Sequence, residues 1–259
     1  MNFLVRSIKG FYMALGMFTG IPMPVNFWDE KLSSQMITSL PLVGAVIGTA
    51  WWAIALALTA LNIPLMLKTA ALTVTPFILT GFIHLDGYMD TSDALLSRRP
   101  LEERLRILKD PSVGAFAVIM LAILFLIQFA AVHVISENSK YLSLLISISI
   151  LSRSCSSFSI YVMRHIPHSG YVAMLTDKKR SAPVTFILFS ILSAGFLSFI
   201  CAGISGLITT VAVIIGYGCT ITVVYKSFKG VSGDLLGYSL VLSELCGLIV
   251  LALLQGENI

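Results

Sequence analysis

The chain has 259 residues, of which 57% are hydrophobic and 12% charged, with a formal net charge of +4 and a mean hydropathy of +0.92. A soluble domain carries about 25% charged residues and roughly 45–50% apolar ones, so an ordinary soluble enzyme is excluded. The apolar residues come in runs of about 20, the length that crosses a hydrocarbon core roughly 30 Å thick. The composition predicts an all-α polytopic membrane bundle of about seven transmembrane helices plus an N-terminal interfacial helix, with no polar linker to divide residues 1–259 into more than one domain.

In chain order, residues 1–20 mix apolar residues with Arg6 and Lys9, and Ile21-Pro22-Met23-Pro24 follows in place of a small-residue cleavage site. This favours an uncleaved helix lying in the membrane interface, with a short span as the competing reading. Spans are expected near 38–60, 65–83, 113–135, 141–163, 184–204, 206–226 and 236–255. Gly44 and Gly48 make a G-x-x-x-G in the first of these, a pattern for close helix packing.

Positive residues separate by connection. Arg98, Arg99, Arg104, Arg106 and Lys109 lie in 84–112; Arg164, Lys178, Lys179 and Arg180 in 164–183; Lys226 and Lys229 precede the last span. The alternate connections hold one clear basic residue, Lys140. The positive-inside rule then places the N-terminus and the basic connections in the cytosol and the C-terminus outside, as expected for a multi-pass membrane protein. Cys155, Cys201, Cys219 and Cys246 have no C-x-x-C spacing and read as packing residues. His165 and His168 read as loop histidines rather than a metal pair. There is no P-loop or dinucleotide fingerprint, and no nucleic-acid partner is expected.

Residues 84–93, His-Leu-Asp-Gly-Tyr-Met-Asp-Thr-Ser-Asp, are the most informative stretch. Asp86, Asp90 and Asp93 are spaced by four and three, so a helix puts them on one face. Three like charges there call for a positive partner; a divalent cation is the simplest, and the cluster suits Mg²⁺, which takes a few carboxylates plus water and phosphate oxygens. Asp86 and Asp93 are about 10 Å apart along a helix axis, so Asp86 with Asp90 suits one ion and Asp90 with Asp93 a second, as in two-metal phosphoryl transfer. Gly87 leaves room for a ligand or a helix. The plainer alternative is a solvated helix end paired with Arg98 and Arg99.

Two further groups stand at the same expected membrane face. Asp234 sits among Gly230, Gly233 and Gly237 at the mouth of the last span, where a glycine-rich helix start can meet a phosphate and Asp234 can join a metal shell; a helix-start acid is the plainer reading. Glu244 lies deeper in that span and requires a partner. Arg153 is the candidate, or else an anion-binding residue. Lys109-Asp110-Pro111-Ser112-Val113-Gly114 opens the third span, with Asp110 expected to cap that helix and Arg104 and Lys109 available to phosphates.

The H-x-D-G-x-x-D-x-x-D block, the stretch from Glu103-Arg104 to Lys109-Asp110, and Gly233-Asp234…Gly237…Glu244 together resemble the cobalamin synthase family, the adenosylcobinamide-GDP ribazoletransferases. Phe18-Thr19-Gly20-Ile21-Pro22-Met23-Pro24 and Pro41-Leu42-Val43-Gly44 resemble its N-terminal blocks. The likeness covers nearly the whole chain. Ala94, Pro111, Ala117 and Ser232 depart from its usual residues, and none of these changes removes an acid.

The resemblance implies a Mg²⁺-dependent membrane transferase that joins adenosylcobinamide-GDP to α-ribazole or its 5′-phosphate at the cytosolic face and releases GMP. Asp86, Asp90 and Asp93, with Asp234, are the candidate metal ligands. Asp93 or His84 is the candidate proton acceptor. Arg104, Lys109, Asp110, Arg153, Gly233 and Glu244 are candidates for substrate and phosphate contact. The partners implied are those two substrates and the lipid bilayer, with a membrane homo-oligomer compatible with the apolar surface. The alternatives are a phosphotransferase of the CDP-alcohol type, whose D-x-x-D-G-x-x-A-R pattern is absent, and an ion-coupled transporter, which places its acids near the bilayer midplane.

Overall fold

The computed structural model describes residues 2–138, 141–167 and 181–256. Lys140, His168, Lys178, Lys179 and Arg180 lie outside the described residues. Among the described residues ten α-helices follow in order: α1 (Phe3–Phe18), α2 (Ser33–Thr38), α3 (Leu40–Ala60), α4 (Leu65–Leu79), α5 (Ile83–Leu96), α6 (Leu101–Ile107), α7 (Ala115–Glu137), α8 (Leu144–Val162), α9 (Ser181–Phe228) and α10 (Gly233–Gly256), with a short 3₁₀ turn, Glu30–Leu32, before α2. Among the described residues the only β-type pairing is an isolated bridge between His165 and Val231.

Among the described residues five helices are long and apolar enough to cross a membrane: Leu40–Ala60, Ala115–Glu137, Leu144–Val162, Pro183–Phe228 and Gly233–Gln255. The fourth of these doubles back. Gly203 leaves helical geometry at φ 58°, and Gly206 packs onto the carbonyl of Ser198. In a straight helix those two residues would be about 12 Å apart. The two arms coincide with the expected spans 184–204 and 206–226. Their outward residues, among them Phe189, Leu192, Phe196, Ile200 and Ile204, are exposed and apolar, as lipid contact requires. The interior is different. α8 and α10 are mostly buried, and α3 lies on α8 with Gly44 and Gly48 against the backbone of Ser149, Ile150 and Ile146. The G-x-x-x-G pattern does serve close packing.

The second expected span differs from expectation. α4 ends at Leu79 and the chain turns by 91° into α5. The turn is a Schellman closure: Phe82 N–H donates to Phe77 O (2.8 Å) and Gly81 N–H to Ile78 O (3.0 Å), with Gly81 and Phe82 both at positive φ. α4 reaches spanning length only together with α5. The bend takes α5 out of α4's line and α5 carries three aspartates, so we read it as lying outside the span. The end of α1 holds this elbow, because Gly20 N–H donates to Leu79 O (2.9 Å).

α1 itself is roughly 24 Å long, short of a hydrocarbon core. It buries Gly10, Met13, Ala14 and Phe18 and exposes Phe3, Leu4, Val5 and Ile8 beside Arg6. That distribution suits an interfacial helix rather than a span. Two basic connections meet at one end of the bundle. Ile166 N–H donates to Val231 O and Val231 N–H to Arg164 O, both at 3.0 Å. His165 is not a free loop histidine, because its Nε2 bonds Ile160 O at 2.7 Å and the ring is half-buried.

Candidate active site

α5 buries Leu85, Gly87, Tyr88, Thr91, Ser92 and Ala94. The acids lie off that face, Asp86 exposed and Asp90 and Asp93 half-buried. Tyr88 anchors the helix: its hydroxyl donates to Met120 O (3.0 Å) and its ring stacks on Tyr238 of α10 at 5.5 Å. Two of the residues unusual for the family, Ala94 on α5 and Ala117 on α7, are buried, so their methyl groups fill core.

α10 brings the fourth acid. A β-carbon at Gly87 would lie 2.8 Å from Asp234 Cα and 3.0 Å from its carbonyl oxygen, so the two backbones meet there with no room for a side chain. Asp234 stands in the first turn of α10. The capping role belongs to Ser232, whose hydroxyl accepts from Leu235 N–H (3.5 Å). The carboxylate of Asp234 accepts from the Ser232 hydroxyl and its own backbone N–H, and no cation pairs with it among the described residues.

Crowding of the four acids is visible at Asp90. Burial first, then the carboxylates of Asp86, Asp234 and Asp93, push its carboxyl up to about 6. Among the described residues none of the four forms an ion pair; Arg98 and Arg99 are exposed and do not neutralise them. Among those residues, too, no three His, Cys, Asp or Glu side chains converge into a ready-made metal cage. Mg²⁺ does not require one, since it keeps several waters and takes one or two carboxylates plus substrate phosphates. An all-oxygen, mutually repelling donor set fits such an ion.

Behind the acids is a cavity of about 70 Å³ whose lining includes Phe18, His84, Arg153, Ser156, Asp234 and Gly237. It is too small for a nucleotide or a corrinoid, so large substrates must sit outside it or open it. The His84 ring is parallel to Phe18 at 6.4 Å, and its Nδ1 is buried without a hydrogen-bond partner. Burial, then the Arg153 guanidinium, hold the imidazole down to about 3, so it is neutral at physiological pH. Arg153 Nη1 reaches Glu244 Oε1 (2.5 Å), Ser149 O (3.1 Å) and Ser152 Oγ (3.2 Å), and Ser152 Oγ also donates to Glu244 Oε1 (2.9 Å). Glu244 therefore has the partner its depth demanded. Arg153 keeps one buried, unpartnered donor, Nε.

The third sequence constellation is placed differently. Gly114 is the N-cap of α7, and Asp110 does not cap that helix. Asp110 is exposed and accepts from Ser112 N–H (2.9 Å), and α7 begins only five positions further on. Lys109 is exposed. Arg104 lies over the Phe228 ring at 5.5 Å, docking α6 on the end of α9. Among the described residues no contact joins Arg104, Lys109 or Asp110 to the acids. Gly233, by contrast, starts α10 and lines the cavity. Sequence reasoning did not single out Gly114, against which the Asp93 carboxylate packs, or Ser152, which completes the Glu244 pair. A glycine at the start of a span and a serine beside a buried arginine were the available signals.

Fold and site together define a polytopic α-helical membrane protein with an acidic face at one end of its bundle. The chain belongs to the cobalamin-5-phosphate synthase family, whose model matches residues 10–252. It is 38% identical over 240 residues to an adenosylcobinamide-GDP ribazoletransferase of Clostridium botulinum, covering 93% of this chain and 95% of that one. A Clostridium perfringens protein of the same name is 36% identical over 246 residues, 95% and 98% of the two chains. One from Listeria monocytogenes is 28% identical over 250 residues, 96% and 99%. No solved structure matches the chain.

Proposed function

We propose that this protein is an adenosylcobinamide-GDP ribazoletransferase of the bacterial inner membrane, working at the cytosolic face. It joins adenosylcobinamide-GDP to α-ribazole or its 5′-phosphate, forms adenosylcobalamin or its 5′-phosphate, and releases GMP. The observation that carries this reading is the meeting of Asp86, Asp90 and Asp93 on α5 with Asp234 on α10, in a chain of this family.

The substrate brings a pyrophosphate, and the site offers four carboxylates with no cation of their own. Asp86 and Asp90 would hold one Mg²⁺ with Asp234, and Asp90 with Asp93 would suit a second, since Asp86 and Asp93 are about 10 Å apart along the helix. A bound Mg²⁺ supplies charge neutralisation for the pyrophosphate and for the oxygen that leaves with GMP. The protein's own contribution is placement. The ribazole 3′-oxygen bonds to the cobinamide-side phosphorus, the bond from that phosphorus to the bridging oxygen breaks, and that oxygen departs on GMP. The proton lost from the hydroxyl goes to a carboxylate of the acid face, for which Asp93 is the candidate. Neutral His84, nine residues before Asp93 on α5, is the alternative acceptor if the substrate opens the cavity that His84 lines, because its Nδ1 is buried away from solvent. Arg153 lines the cavity and its buried Nε is a donor without a partner. Positioning and charge stabilisation of this kind account for most of the rate in phosphoryl transfer.

The test is direct. Purified protein in nanodiscs is given adenosylcobinamide-GDP, α-ribazole and Mg²⁺, and the products are separated by chromatography. GMP and a cobalamin should appear in equal amounts, and neither without Mg²⁺. Intact substrates after prolonged incubation with well-folded protein would remove the proposal.

A further inference from the structure

We infer that Gly114 is a positioning residue for the transfer: the space left by its missing side chain is the seat of the Asp93 carboxylate. This rests on the reading above, in which Asp93 serves the acid face. Gly114 stands at φ −83°, ψ 164°, extended backbone that any residue adopts, so its conformation does not call for glycine. The space around it does. A β-carbon built there would fall inside the Asp93 carboxylate, and its three nearest atoms are Oδ1, Oδ2 and Cγ of that one side chain. At Gly87 the obstructing atoms are the backbone of Asp234, so a substitution there pushes two helices apart. At Gly114 the obstructing group is the end of a short side chain, which rotates away while the helices stay.

The place is also electrostatically apt. Gly114 is the N-cap of α7, and no side chain of its own segment caps that helix. The first turn of a helix has N–H groups without intrahelical acceptors and carries partial positive charge. A carboxylate from α5 resting there meets that partial positive charge and keeps one orientation across the α5–α7 junction. Asp90 feels its charge, so the seat of Asp93 shapes the field of the whole acid face. A side chain at 114 would evict the carboxylate by an ångström or more, and misplacements of about 1 Å cost roughly 10²-fold in positioned catalysis.

Gly114→Ala is expected to lower kcat by about 10- to 100-fold, to leave KM for the GDP conjugate near the wild-type value, and to raise the Mg²⁺ needed for half-maximal rate. Its melting temperature in detergent should match wild type. The deciding experiment is a double-mutant cycle with Asp93→Ala, read by turnover and by the melting shift that saturating Mg²⁺ induces, which needs no catalysis. In the Asp93→Ala background the second substitution, Gly114→Ala, should change neither readout further. Equal losses from Gly114→Ala with and without the Asp93 carboxylate would overturn the inference, as would wild-type kcat and Mg²⁺ dependence in Gly114→Ala alone. Full activity in Asp93→Ala would instead strike the assignment of Asp93, and the inference would fall with it.

Discussion

The molecule holds charge in two ways, about three turns apart on α10. Near the helix start, Asp234 meets Asp86, Asp90 and Asp93, four carboxylates with no ion-pair partner among the described residues. Deeper, Glu244 is closed against Arg153 and Ser152. The deep pair is buried with its charges closed on each other and only Arg153 Nε unpartnered, so we read it as part of the bundle's construction. The surface group is crowded and uncompensated, which makes it a place for a ligand to finish. An isolated buried acid could not persist without its arginine, whereas acids at the bundle's end can wait for a cation.

The comparison breaks most sharply at the deep pair. Glu244→Ala would leave the Arg153 guanidinium buried and unpaired, and such losses cost about 3–5 kcal/mol. The variant should be recovered in low yield and melt far below wild type, while the paired replacement Arg153→Met with Glu244→Leu regains much of that stability. If Glu244→Ala melted like wild type and lost only activity, the deep pair would belong with the site.

The surface acids should show the reverse pattern. Asp90→Asn and Asp234→Asn each remove charge from a repelling cluster, so the Mg²⁺-free protein should be as stable as wild type or more so. Turnover should fall on the order of 10²–10³-fold, the scale of losing one electrostatic stabiliser of a transition state. Thermal melts beside GMP-release rates would check both halves. A stability loss with turnover intact would invert the assignment.

A smaller effect is expected at the junction of α5 and α10. Gly87→Ala places a methyl against the Asp234 backbone, and overpacking of this kind costs about 1–3 kcal/mol. Asp234 should move from the α5 acids, and the Mg²⁺ requirement should rise along with the melting loss. The smallest expected effect is on pH. With Asp90 raised to about 6, proton and metal compete for it. Apparent Mg²⁺ affinity should therefore weaken as pH falls from 7 through 6 to 5, and titrations at fixed ionic strength would show it. For the metal-free fold the sign is opposite. A carboxyl raised from its ordinary 3.8 adds stability when protonated, and that stability is lost as pH rises through about 6.

Much of this arrangement could be read from residue order. The spacing of Asp86, Asp90 and Asp93 required one helix face, the depth of Glu244 required a partner, and Gly44 with Gly48 required a close neighbour; the fold supplies all three. What periodicity could not convey was direction. Residues 65–83 read as one span because Gly81 and Phe82 are compatible with a helix in composition, yet their positive φ turns the chain by 91°. Asp110-Pro111 has the composition of a helix start, but α7 begins five residues after Asp110, and Gly114 there serves a carboxylate from α5. Arg104 and Lys109 are basic residues near the acids in sequence, and sequence proximity did not bring them into contact. In each miss the deciding fact is a tertiary contact or a backbone turn, which a one-dimensional pattern does not contain.

The central claim, that the acid face of α5 holds the metal for transfer from the GDP conjugate, is tested most directly at Asp86, the most exposed of the α5 acids. Mg²⁺-dependent GMP release should be measured for wild type and Asp86→Asn in nanodiscs, at equal amounts of protein with matching melting curves. The account predicts a loss on the order of 10²-fold or more, with little or no Mg²⁺-induced melting shift. An Asp86→Asn protein that retained full Mg²⁺-dependent turnover would contradict it.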